Sequence, residues 1–218
     1  MGSRSINNVT LNPTLKVKNL GVYMDSTLTF KDHINEVHKK VFGTLLYLNR
    51  VSDRFDPACR AMVVQSLVLT ILNYCLSVWG STNLTQMHRV KKLQNFAAKV
   101  AVGGVSKFDH VTPLFEKLNW LRMNDKYIFD VCVLVFKIRN KIFPEWLFSL
   151  PSVDEMRRGN ITTRNQNHLF TQRFTTDTGA RCLNVVGPTF WNRLPLDVRN
   201  CQTLPLFKGK LTSFLLDS

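Results

Sequence analysis

The chain has 218 residues, of which 44% are hydrophobic, 11% aromatic and 20% charged. That balance excludes a disordered or collagen-like chain and allows one substantial core or two smaller ones. Lys and Arg number 29 against 15 Asp and Glu, a net charge of +14, which points to a polyanionic partner, nucleic acid ahead of an anionic membrane surface, and carries no information about fold.

The five cysteines, Cys59, Cys75, Cys132, Cys182 and Cys201, are dispersed and odd in number, with no Cys-x-x-Cys pair and no histidine at zinc-ligand spacing. Neither a zinc knuckle nor a disulfide framework is expected. Cys75 and Cys132 lie in apolar runs, where a free thiol acts as a small hydrophobe, and the expectation is a reduced, intracellular protein that is not secreted. Residues 1–8 lack the apolar core of a secretion signal. The charge-free stretch 61–87 is interrupted by Gln65, Ser66, Thr70, Asn73 and Ser77, so it reads as a buried helix rather than a membrane span.

In chain order, residues 9–30 have a strand or hairpin pattern, with Leu15 and Val17 alternating against Lys16 and Lys18 before Leu20, Gly21, Val22 and Tyr23. Thr29, with Asp32 three residues on, offers an N-cap to a helix whose Ile34, Val37, Val41, Leu45 and Leu48 share one face. Asp56 as cap and Pro57 at the first helical position open a second helix through Met62, Val64, Leu67, Val68, Ile71 and Leu72, expected at the centre of the core. From Leu84 to Val102 the spacing predicts an amphipathic helix: Met87, Val90, Leu93, Ala97 and Val100 on one side, His88, Lys91, Lys92 and Lys99 on the other, and Gly103-Gly104 as the stop.

Thr112-Pro113 opens a short helix, and Asn124 is expected to cap a longer one carrying Ile128, Val131, Val135, Ile138 and Ile142, ended by Pro144. Residues 149–184 shift to Thr, Asn, Arg and Gly, a loop or weakly paired β region and the expected domain boundary. Thr203 then caps a final helix of Leu204, Phe207, Leu211, Phe214 and Leu215. The expected fold class is mainly α: a helical bundle with a short N-terminal β element and a loop-rich or weakly β segment before a C-terminal helix. Three regions follow, 1–30, 31–148 and 149–218.

Catalytic signatures are absent from the sequence. It contains no nucleophile elbow, Walker loop, dinucleotide fingerprint or His-Glu-x-x-His helix. Nor does it contain adjacent aspartates, which two-metal nucleotidyl transfer would need; Asp25, Asp32, Asp53 and Asp56 read as surface or capping residues. The positive signal is cationic. Lys16, Lys18, Lys39, Lys40, Arg89, Lys91, Lys92, Lys99, Arg164 and Arg173 are the candidates for phosphate contact. Any one run could equally be a solvated helix face. Phe96, Phe170 and Phe174 are candidates for base stacking, whereas Trp191 is expected in the core.

The order of these signals resembles the C-terminal part of reverse transcriptases from LINE-type, jockey-like non-LTR retrotransposons. Leu20-Gly21-Val22-Tyr23-Met24-Asp25, followed by Leu28-Thr29-Phe30 and His33-Ile34, resembles the family's "LGV-x-x-D … L-x-F/W-x-x-H-I" stretch. Tyr74 through Trp79 resembles its "Y-x-x-x-x-W" helix, and Leu93-Gln94-Asn95-Phe96-Ala97-Ala98-Lys99 with Leu118-Asn119-Trp120-Leu121 its "L-Q-N-x-A-x-R/K … L-x-W-L" segment. Gly179-Ala180-Arg181, Trp191-Asn192-Arg193-Leu194-Pro195, Val198-Arg199 and Phe207-Lys208 resemble its closing pattern.

The resemblance implies a primer-grip strand pair with Leu20, Gly21 and Val22 near the primer end, and a thumb with Lys39 and Lys40 as cations. It also implies partners: RNA, DNA or an RNA–DNA hybrid held through its backbone, in a nuclear or cytoplasmic ribonucleoprotein. The family's catalytic aspartates, which would hold magnesium, and its endonuclease are expected before residue 1, so no catalysis and no cofactor are expected of these residues alone. Two other readings stay open. One is a helical protein-interaction or self-association module with Leu20, Val22 and Phe30 exposed on the palm-facing surface; the other is an inert relic of a transposon.

Overall fold

The alternation of residues 15–25 becomes an antiparallel hairpin, β3 (Lys16–Asn19) paired with β4 (Val22–Asp25), with Lys16 opposite Asp25 and Asn19 opposite Val22. A shorter hairpin, β1 (Arg4–Ile6) with β2 (Val9–Leu11), precedes it. These elements come from a computed structural model that describes residues 4–6, 9–11, 14–106, 108–144, 148–156 and 168–217. Leu20 and Gly21 join β3 to β4 with φ of 45° and 84°, the two positive values of a type I′ turn, whose twist suits a hairpin. Leucine lacks the freedom of Asn or Gly there, and its left-handed conformation costs about 1–2 kcal/mol. β3 is exposed along its length, while β4 packs against the first helix and buries Val22.

The loop after β4 is organised by one carboxylate. Asp25 accepts hydrogen bonds from the Thr27 and Thr29 amides at 3.1 and 3.0 Å, from their hydroxyls at 2.6 and 3.0 Å, and from the Phe30 amide at 2.8 Å. This changes the start of α1 (Lys31–Val51) from the expected one. The N-cap position belongs to Phe30, at φ 55° and without a side-chain cap, because the Thr29 hydroxyl is already committed to Asp25. The expected stripe of α1 holds, with Ile34, Val37, Val41, Leu45 and Leu48 all buried.

Asp56 caps α2 (Pro57–Val64) by accepting from the amides of Ala58 and Cys59, both at 3.1 Å. A π turn, Gln65–Leu69, separates α2 from α3 (Thr70–Asn73). Val64, Val68, Leu69 and Leu72 are buried, while Met62 on α2 and Leu67 within the wider turn are exposed, which corrects the expectation that the whole run is central. Extended Tyr74 and left-handed Cys75 (φ 52°) then break the chain before α4 (Leu76–Trp79). Among the described residues no helix is long and apolar enough to cross a membrane.

Helix α5 (Leu84–Val102) has the bounds the sequence predicts, starts on an Asn83 cap and ends at Gly103. It packs on α1 and α2. Its last carbonyls, which a helix leaves without partners, are met by buried Arg60, whose guanidinium donates to Ala101 O at 3.2 Å and Val102 O at 2.8 Å.

α6 (Thr112–Leu118) leads to α7 (Met123–Arg139). Asn124 is not the cap: Arg122 holds that position, and the helix starts two residues earlier than an Asn124 cap implies, with Met123 fully in the core. Nor does Pro144 end α7. The chain reverses at Lys141 (φ 56°), with the amides of Ile142 and Phe143 both donating to Lys137 O, so Ile142 leaves the stripe and is exposed.

The remaining elements are α8 (Val153–Met156), α9 (Asp177–Ala180), α10 (Leu183–Arg193), α11 (Leu196–Arg199) and α12 (Leu204–Leu216), with a lone bridge between Ser152 and Leu169. The result is mainly helical with short N-terminal β pairing. α10 and α12 pack on α7, where Phe207 stacks between Phe136 and Trp191 at ring separations of 4.5 and 5.6 Å. Trp191 is therefore a core residue, as expected. Buried side chains from α1, α5, α7 and α12 belong to one cluster.

Candidate nucleic-acid interface

The β3–β4 hairpin leans over α1 and α3 to form a groove of about 430 Å³. Lys18, Gly21 and Tyr23 line it from the hairpin, His33 and Lys40 from α1, and Tyr74 from the chain beyond α3. The hairpin tip is held by Tyr74, whose hydroxyl donates to Leu20 O at 2.7 Å. A Cβ on Gly21 would lie 3.5 Å from the Tyr74 ring, ordinary contact, so it is the positive φ that favours glycine there. Lys18 stands 5.1 Å from the centre of the Tyr23 ring, within range of a cation–π attraction that orients it along the hairpin.

Two motifs far apart in sequence brace the same corner. The Thr82 hydroxyl donates to Thr29 O at 2.6 Å, and the Trp79 indole to Tyr74 O at 2.7 Å. Arg181 reaches back across the fold to donate to Leu28 O at 2.9 Å and Thr27 O at 3.3 Å. Burial opposes the charge on Asp25, but the hydrogen bonds from Thr27, Thr29 and Phe30 outweigh it and hold that carboxyl well below the usual carboxylate range.

The candidate residues divide accordingly. Lys18, Gly21 and Lys40 meet in the groove, and Lys39 is exposed beside Lys40 on α1. Leu20 is 82% exposed at the tip, but Val22 and Phe30, each 4% exposed, belong to the core. This corrects the expectation of an exposed Val22 and Phe30: β4 and the start of α1 bury them against the helices. Lys16 is exposed and paired with Asp32 at 3.0 Å.

The basic side of α5 is less uniform than its spacing implies. Arg89 donates to Asn35 at 2.8 Å and Gln86 at 2.9 Å, which ties α5 to α1. Lys91 faces Asp125, whose carboxyl is pushed up by burial against the opposing pull of Arg122 and Lys91. Lys99 donates to Ser106 O at 3.1 Å, and Lys92 is exposed. None of these four lines the groove. Arg173 is exposed in the C-terminal region, and Arg164 lies outside the described residues. Of the aromatic candidates, Phe170 and Phe174 are exposed, while Phe96 is half-buried against Phe42.

His33, Tyr23 and Tyr74 also line the groove, as does the acidic Glu36, and none of them was a candidate from spacing. The resemblance alone contained a signal for His33 and Tyr74, since both fall in its quoted motifs. Buried Cys132, with its thiol pushed up to about 12 by burial, sits in the core as a small hydrophobe. Among the described residues no group of three or more His, Cys, Asp or Glu side chains is placed to share a metal ion. No family model matches the chain, and neither does any curated protein or solved structure.

Proposed function

We propose that this chain binds template–primer nucleic acid through its phosphate backbone, as the region that follows the palm in LINE-type, jockey-like reverse transcriptases. The observation that carries the reading is the convergence of Lys18 and Lys40, from two different elements, on one groove beside a held hairpin tip. Two cations brought to one groove from β3 and α1 offer contacts to backbone phosphates, and such contacts need no reading of base edges. The surplus of +14 supplies a long-range attraction that gathers nucleic acid to the surface. The role assigned to these residues is binding, and no catalytic step is assigned to them.

The test is an anisotropy titration with an RNA–DNA primer–template and with double-stranded DNA, each at low and at physiological salt. The reading expects tighter binding to the hybrid, whose A-like shape differs from B-form DNA, with affinity falling steeply as salt rises. Absence of binding at low salt contradicts it.

A further inference from the structure

His33 lines the groove from α1 while only 5% exposed, and its Nε2 is buried without a hydrogen-bond partner among the described residues. A buried ring nitrogen left unpaired is an uncommon arrangement that a ligand or a proton would change. The groups around it are Lys18 and Tyr23 on the hairpin, Glu36 and Lys40 on α1, and Tyr74 beyond α3, with the Trp79 ring of α4 5.6 Å away. Two of these neighbours, Lys18 on the hairpin and Lys40 on α1, are cations, so an anion held by both would enter the groove that the imidazole lines.

We propose that His33 is a binding residue of this groove that takes up one proton when a nucleic-acid phosphate enters between Lys18 and Lys40. The inference rests on the nucleic-acid reading above. In the free protein, burial first and the Lys40 charge second hold the His33 ring below its ordinary value, so it is neutral near pH 7. A phosphate diester reverses the second effect, because its negative charge offsets Lys40 and favours the imidazolium. Binding and protonation are then linked, and affinity rises as pH falls.

The experiment titrates the full chain with an RNA–DNA duplex carrying a pH-insensitive dye, at fixed ionic strength from pH 8 to pH 5.5, for wild type and His33→Gln. The other histidines are common to both proteins, so the difference between their pH profiles belongs to His33. Wild-type affinity should gain up to about tenfold per pH unit more than the variant over the range where one proton is linked. Parallel profiles overturn the proton coupling and leave the nucleic-acid reading standing, whereas no binding by wild type at any pH overturns both. Should His33→Gln fail to fold, the imidazole resonances of wild-type His33 are titrated with and without duplex. A midpoint that moves up on binding supports the proposal, and one that stays in place overturns it.

Discussion

Tyr74 donates its hydroxyl to the Leu20 carbonyl at 2.7 Å, across 54 positions of sequence. That bond closes the hairpin tip onto the helical body and so sets the width of the groove lined by Lys18 and Lys40. Tyr74 can do this because the chain is extended there, between the end of α3 and left-handed Cys75. Tyr74→Phe keeps the ring against Gly21 and removes only the bond. The expected result is a loss of about 1 kcal/mol in urea unfolding together with weaker duplex binding. Unchanged affinity would mean that the tip is not part of the interface.

The turn itself is strained. Leu20 sits at φ 45° with 82% of its surface exposed, a position that type I′ turns usually give to Asn or Gly. Leu20→Asn should therefore raise the unfolding free energy by about 0.5–1 kcal/mol. If the exposed leucine serves the interface, the same variant weakens duplex binding, so stability and affinity move in opposite directions. A variant that is less stable than wild type contradicts the strain argument.

Asp25 gathers three backbone amides and two hydroxyls. Asp25→Ala leaves the Phe30 amide and its neighbours without this acceptor and should cost about 2–3 kcal/mol, read by chemical unfolding. The pH dependence has a definite sign. The native carboxyl lies below its unfolded value, so its contribution is present above an unfolded pKa of about 3.9 and is lost progressively as pH falls below that. Asp25→Asn should flatten that part of the acid limb. An unchanged acid limb would remove Asp25 from the account.

Arg60 and Gly103 form a second lock. A Cβ on Gly103 would stand 2.2 Å from the Arg60 guanidinium, and the φ of +69° is itself unfavourable to alanine. Gly103→Ala should destabilise by more than about 1 kcal/mol. Arg60→Met leaves the Ala101 and Val102 carbonyls without their donor and should cost about 2–3 kcal/mol. Thermal unfolding checks both, and a neutral Arg60→Met would show that water replaces the side chain.

Helix positions were legible where apolar spacing is uninterrupted. α5 has the bounds its period and flanking Gly103 predict, and α2 starts on the Asp56-Pro57 pair. Periodicity is blind to a single inserted residue, which is why the π turn at Gln65–Leu69, with Leu67 exposed within it, was not foreseen. Capping is ambiguous where several side-chain oxygens compete: Thr29 looks like a cap in isolation, but the Asp25 carboxylate takes its hydroxyl and amide. In the site, cations such as Lys18 and Lys40 announce themselves by charge. Whether a cation is free is a tertiary matter, and Arg89, bonded to Asn35 and Gln86, could not be separated from Lys92 by spacing. His33 and Tyr74 enter the groove through contacts between elements, which local pattern does not encode.

The most direct test compares two variants that lose the same charge. Lys18→Ala with Lys40→Ala removes both groove cations, and Lys117→Ala with Lys208→Ala removes two exposed cations that do not line it. Anisotropy against one RNA–DNA primer–template over a salt series gives each affinity and its salt slope. The account predicts that the groove pair loses at least about tenfold in affinity and lowers the slope by about 2, while the distant pair changes little. Equal losses for the two pairs would contradict it and leave net charge alone as the source of binding.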